Sequence, residues 1–134
     1  MVPLGVRMSI VLDLALGSGE LRLTSTDPND QPFLNYNYLQ EPFDRQRLRE
    51  GVRLALRLAE HDSFKDIIKE RIEPTDSDLE SDDALDDWMM RTVISGFHIS
   101  GTCKMGPAPD PMAVVDQYGK VHGAEGLRVV DASI

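Results

Sequence analysis

Cysteine is almost missing from this sequence: Cys103 is the only one in 134 residues. An internal disulfide is therefore impossible, and such usage fits a reducing compartment, with the cytoplasm as the expected location. Basic residues are also scarce, with fourteen Lys and Arg against twenty-three Asp and Glu, for a net charge of -9. A surface of that sign opposes attraction to phosphate backbones and anionic lipid, so nucleic acid is not an expected partner. Long apolar runs are lacking too. Arg7 and Asp13 interrupt the first sixteen residues, and no basic stretch leads into a small-residue cleavage site, so no signal peptide is expected. Nothing approaches the roughly 20 apolar residues that a membrane-spanning helix needs.

What is present is ordinary globular composition, 41% hydrophobic and 28% charged, enough for one modest core. Residues 9–16 and 19–25 read as two strands of a hairpin around Gly17-Ser18-Gly19, with Leu21 and Leu23 alternating against polar neighbours and one face wet. Asp27-Pro28-Asn29-Asp30 is a turn cluster, and residues 33–38 form a further short strand candidate. The period then changes. Leu48, Val52, Ala55, Leu56 and Ala59 recur at helical spacing over residues 44–60, with Asp44 as expected N-cap and Phe43 and Leu48 as a hydrophobic staple.

A second short helix is expected from Ser63, capped with Asp66 and ending near Pro74. The acidic stretch 73–87 could hold a metal or a partner, but a simpler reading absorbs much of it. Ser81 is a suitable N-cap, and Asp82 and Asp83 fall in the first turn, where the macrodipole favours negative charge. Leu85, Trp88, Met89, Thr92 and Val93 then form the apolar stripe of a third helix, with Asp86 and Asp87 facing water. The expected class is α+β, a mostly antiparallel sheet with packed helices. The expected division is residues 1–93 and residues 94–134.

After Val93 the chain is rich in glycine and proline, so backbone geometry is what it specifies. Residues 113–116 and 120–122 read as a small hairpin, and residues 127–130 as an apolar strand whose unpaired edge another copy could use. Within this region Phe97-His98-Ile99-Ser100-Gly101-Thr102-Cys103-Lys104-Met105-Gly106 gathers a histidine, two glycines, hydroxyls and a thiol. Spacing alone leaves several readings open for His98: a structural hydrogen-bonding residue, a catalyst, or the base for a Cys103 nucleophile. A zinc site from His98, Cys103 and His122 lacks a fourth ligand and the usual paired spacing. His61 and His122 read as solvated or structural.

The order Phe97-His98-x-x-Gly101-Thr102-Cys103-Lys104-Met105-Gly106, then Val115-Asp116 with Val121 and Gly123, then Gly126-Leu127-Arg128-Val129-Val130-Asp131-Ala132-Ser133, resembles the carboxy-terminal signature of the glucose-methanol-choline oxidoreductases. Upstream, Ser18-Gly19-Glu20-Leu21, Asp27-Pro28 and Glu50-Gly51-Val52-Arg53 are similar to the same family, so the likeness covers nearly the whole chain. Its members, choline dehydrogenases, alcohol oxidases and sugar oxidases among them, bind FAD and oxidise a CH–OH group to a carbonyl.

The resemblance implies that His98 is the active-site histidine facing the flavin, accepting the substrate hydroxyl proton or stabilising its loss. An imidazole suits either role near neutral pH. Gly101 and Thr102 would let the backbone pass close to the active site. It implies equally that Asp131 and Ala132 approach the cofactor through the backbone. Two departures stand out. Ile99 occupies a position that is often proline, and the family's second His or Asn is expected beyond Ile134. There is also no Gly-x-Gly-x-x-Gly to seat the FAD pyrophosphate. The expected object is therefore an inactive piece of an alcohol-oxidising flavoenzyme, whose partners are a small alcohol and an absent FAD domain. A free-standing binding or assembly module of the same fold is the alternative.

Overall fold

The computed structural model describes residues 5–134. In chain order its regular elements are strands β1 (Glu20–Arg22) and β2 (Phe33–Asn35), helix α1 (Pro42–Ala59), 3-10 turns at Asp62–Phe64 and Ser77–Leu79, and helix α2 (Asp82–Thr92). Two helices and a two-stranded antiparallel sheet make the class α+β. The chain divides into two units, Met1–Ile94 and Ser95–Ile134.

In the first unit, α1 starts with Pro42, whose fixed φ and missing N–H suit the first helical turn. Glu41 is the N-cap and accepts the Phe43 N–H at 3.4 Å. The sequence predicts Asp44 there; it lies in the first helical turn instead and is buried. Its carboxylate accepts the Leu16 N–H at 3.0 Å and the Gly17 N–H at 2.8 Å. Phe43 is not a staple either: it is exposed, with the Arg47 guanidinium 5.3 Å from its ring centroid.

Those two amide bonds explain why residues 9–16 are not the expected strand. That segment runs along α1, tied by Asp44 and by the Arg47 guanidinium donating to the Leu14 carbonyl at 2.5 Å. Ile10 lies so close to Gly51 that a Cβ there would meet its Cγ2 at 2.6 Å. β1 therefore pairs with β2, in the register Glu20↔Asn35, Leu21↔Leu34 and Arg22↔Phe33. The hairpin loop contains the Asp27-Pro28-Asn29-Asp30 cluster, where the Asp30 N–H donates to the Asp27 carbonyl at 3.1 Å and the Asn29 N–H to the Asp27 carboxylate at 2.9 Å. Neither face of this hairpin is covered within the unit: Leu21, Leu23, Phe33 and Leu34 are all exposed.

The core is Leu39, Val52, Leu85 and Met89, with Ile10, Tyr38, Leu48, Leu56, Leu79, Trp88 and Val93 around it. α2 presents Leu85 and Met89 as its stripe predicts, and the Ser81 hydroxyl caps it by accepting the Ala84 N–H at 3.0 Å. Asp86 does not face water. It receives the Arg49 guanidinium at 2.6 and 2.7 Å and that of Arg45 at 3.4 Å, which ties α1 to α2. The helix expected from Ser63 is only the turn Asp62–Phe64, and its cap is the His61 ring, whose Nδ1 accepts the Ser63 N–H at 3.2 Å.

The second unit has isolated bridges in place of full strands: Met105↔Val115, Val115↔Val121 and Lys120↔Arg128. Val115 is fully buried at the crossing of two of them. Asp116 makes the turn of the small hairpin, accepting the Tyr118 N–H at 2.8 Å and the Lys120 N–H at 2.9 Å. Gly119 is required in that turn, since its φ is +71° and a Cβ would lie 2.7 Å from the Val129 carbonyl oxygen. The Val129 N–H donates to the Gly119 carbonyl at 2.9 Å and the Val121 N–H to that of Leu127 at 3.1 Å, so this edge of residues 127–130 is paired inside the unit.

Candidate active site

The second unit contains every residue the sequence singles out for chemistry. Its backbone joins the two signature segments directly. The Gly101 N–H donates to the Ala132 carbonyl at 3.2 Å, and the Cys103 N–H donates to the Ser133 carbonyl at 2.5 Å. Segments thirty residues apart in sequence thus lie side by side, His98 leading into one and Asp131-Ala132 belonging to the other. Gly101 has φ +73°, which a glycine adopts without cost, so the chain can turn between His98 and this contact.

His98 is exposed, and neither ring nitrogen makes a hydrogen bond among the described residues. The imidazole is free to donate or accept toward a bound molecule. Its neighbours are open as well: Phe97 is 85% and Ile99 62% exposed. Phe97 has φ +61°, a left-handed conformation uncommon for a large side chain. Its N–H donates to the Ser95 hydroxyl at 3.0 Å. Sequence reasoning overlooked Ser95, although a serine two residues before a turn centre is a recognisable local signal.

Asp131 folds back on its own turn. One carboxylate oxygen accepts the Ser133 N–H at 2.8 Å and also the Ser133 hydroxyl, and its carbonyl accepts the Ile134 N–H at 3.3 Å. The hydroxyl first, then the amide, hold the carboxyl below its usual range, so Asp131 is an anion at neutral pH and not a proton donor. Between these bonds the exposed Ala132 N–H has no acceptor among the described residues. The backbone at residue 132 therefore offers a free donor beside a methyl side chain.

The rival constellations do not assemble. Cys103 is half-buried and no hydrogen bond joins it to His98. The His122 Nε2 is 3.0 Å from the Gly106 carbonyl, a structural bond. No three His, Cys, Asp or Glu side chains among the described residues come together as metal ligands. An open depression of about 320 Å³ is lined by Lys120, Ala124, Glu125, Gly126, Leu127 and Arg128, and neither His98 nor Ala132 borders it. Gly126, Leu127 and Arg128 of the signature border it, but none of the residues singled out for chemistry does. None of the described helices is long and apolar enough to cross a membrane.

Residues 15–134 match the carboxy-terminal family described as GMC oxidoreductase. The chain is similar to oxygen-dependent choline dehydrogenase 1 of Chromohalobacter salexigens, 39% identical over 90% of this chain and 21% of the relative. It is also similar to the oxygen-dependent choline dehydrogenase of Rhizobium rhizogenes, 38% identical over 97% of this chain and 24% of the relative. Among solved structures it resembles pyridoxine 4-oxidase from Mesorbium loti, with TM-score 0.74 and 32% identity over 87% of this chain and 22% of that one. A fungal aryl-alcohol oxidase gives TM-score 0.66 and 31% identity over 87% of this chain and 19% of that one. The chain spans less than a quarter of the length of each of these proteins.

Proposed function

Because this chain belongs to the GMC oxidoreductase family, we propose that it is the active-site-bearing carboxy-terminal part of an FAD-dependent enzyme that oxidises the CH–OH group of a small alcohol. One observation carries the reading: the His98 segment and the Asp131-Ala132 segment are hydrogen-bonded neighbours in one unit, with the imidazole and the Ala132 N–H both unspent. The relatives are named for choline, pyridoxine and aryl alcohols, three substrates that share an oxidisable hydroxyl.

The residues present suit FAD in two respects. The Ala132 N–H is an exposed donor of the kind a cofactor carbonyl or ring nitrogen accepts from, and Ala132 carries no bulk to hold a planar ring away. The Asp131 side chain, satisfied by Ser133, fixes the turn that presents that amide. When bound, FAD supplies the hydride acceptor for the alcohol carbon.

His98 does the proton chemistry on this reading. As a neutral imidazole it accepts the hydroxyl proton, and as an imidazolium it stabilises the alkoxide oxygen. Gly101, anchored to Ala132, keeps the segment that follows His98 beside the Asp131-Ala132 turn. The chain does not turn over alone, since it has no Gly-x-Gly-x-x-Gly to receive the pyrophosphate.

The test uses the polypeptide encoded by the whole reading frame that contains this sequence. Flavin reduction is followed without oxygen, using choline, pyridoxine and benzyl alcohol. His98→Ala is expected to slow reduction by the best of these about 10²- to 10⁴-fold with flavin still bound. Unchanged reduction in that variant removes His98 from the reaction.

A further inference from the structure

We propose that the face of the β1–β2 hairpin formed by Leu21, Leu23 and Leu34 is a docking surface, covered in the complete protein by apolar side chains from the same polypeptide outside these 134 residues. The inference rests on family membership and stands apart from the reading of His98. It starts from the two faces of one hairpin. The register pairs Leu21 with Leu34 and Arg22 with Phe33, so cross-strand partners share a face and successive residues alternate between faces. Alternation places Leu23 on the Leu21 side. One face is therefore built of leucines, and the other has Glu20, Arg22, Phe33 and Asn35.

The polar face is closed on itself. The Arg22 guanidinium donates to the Glu20 carboxylate at 2.9 Å and lies 5.0 Å from the Phe33 ring centroid. The leucine face has no such closure: Leu21, Leu23 and Leu34 are 62%, 81% and 40% exposed, and none of the three joins the core around Leu39, Val52, Leu85 and Met89. A contiguous apolar surface marks an interaction site, and a two-stranded hairpin gains little stability without a covered face.

Three properties of the chain select the occupant. The chain spans 21% and 24% of the two choline dehydrogenases it resembles, so most of a protein of this kind is further polypeptide. Joined by peptide bonds, that polypeptide meets the hairpin at an effective concentration that a separate molecule does not match. The net charge of -9 acts against the other occupants, since it repels a second copy and an anionic lipid surface alike. The leucine face also carries no charged side chain, so apolar cover buries it without leaving an ion unpaired.

The experiment uses the polypeptide encoded by the whole reading frame. Leu23→Cys and Glu20→Cys place one thiol on each face of the hairpin, and their reaction with an uncharged maleimide is followed by peptide mass. Leu23→Cys is expected to react at least about 100-fold more slowly than Glu20→Cys, at a rate unchanged by dilution of the protein. Equal rates overturn the inference, because the face is then bare. Protection lost on dilution overturns it too, because the cover is then a second copy. The occupant is identified with Leu23→p-benzoylphenylalanine, irradiated in a mixture of isotopically heavy and light protein. The expected cross-link joins residue 23 to a peptide of the same isotope outside these 134 residues. A link between isotopes, a link confined to these 134 residues, or no link contradicts the proposal. If the photoreactive variant fails to fold, the two cysteine variants decide. A silent His98→Ala sinks the function proposed above and leaves this surface untouched.

Discussion

Asp44 shows how a single residue exceeds the role its position in the sequence suggests. A carboxylate before an apolar periodic run reads as an N-cap, and only long-range contact shows that its partners are the amides of Leu16 and Gly17. Nothing local encodes a bond between residues twenty-eight apart. Burial pushes its pKa up, but the Gly17 and Leu16 amides and the Arg47 charge outweigh this, and the net shift is downward from 3.8. A depressed carboxylate stabilises the fold above its unfolded pKa and loses that contribution as pH falls through the folded value. Urea midpoints are accordingly expected to stay level from pH 7 to 5 and to drop below about pH 4. Asp44→Ala should cost about 1–3 kcal/mol at pH 7 and flatten the acid limb. An Asp44→Ala midpoint equal to the parent's at neutral pH would contradict the role given to these bonds. His98 stands at the opposite pole: its place in a motif was legible from the residues on either side, whereas its unspent nitrogens and the turn at Phe97 were not.

At the scale of elements, the helices were the legible part. Their apolar spacing specifies which face is buried, and Val52, Leu85 and Met89 are buried as periodicity predicts. The strands were not, because a three-residue pair carries little periodic signal, and two turn-forming clusters competed to close the hairpin. Asp-Pro-Asn-Asp did so, and Gly-Ser-Gly did not. Charge was misplaced for a related reason, since helical spacing cannot tell a solvated aspartate from one facing a guanidinium on another helix. Arg49 and Asp86 are mostly buried side chains, 17% and 20% exposed, joined by two bonds. Arg49→Ala is expected to destabilise the chain by about 1–3 kcal/mol, read as a shifted urea midpoint. Arg53→Ala, at an outer and more exposed pair with Asp82, is expected to do much less. Equal effects of the two would show that the inner pair does not join the helices.

For the whole molecule, the fold class and the family were readable because the signature is spread over nearly the entire chain. The uncovered β1–β2 hairpin was not, because alternation along a strand predicts one covered face and here Leu21, Leu23, Phe33 and Leu34 are all exposed. The chain spans fewer than a quarter of the residues of these relatives, so under the proposed function FAD and most of the alcohol pocket would be held by other parts of the protein. The central claim is spatial: the imidazole of His98 and the amide of Ala132 belong at one flavin. It is tested most directly by a crystal structure of the complete gene product with its cofactor. The account predicts the His98 ring over the isoalloxazine, within hydrogen-bond reach of a bound alcohol oxygen, and the Ala132 N–H directed at the cofactor. A flavin far from His98, or a His98 ring buried against backbone carbonyls, would contradict it.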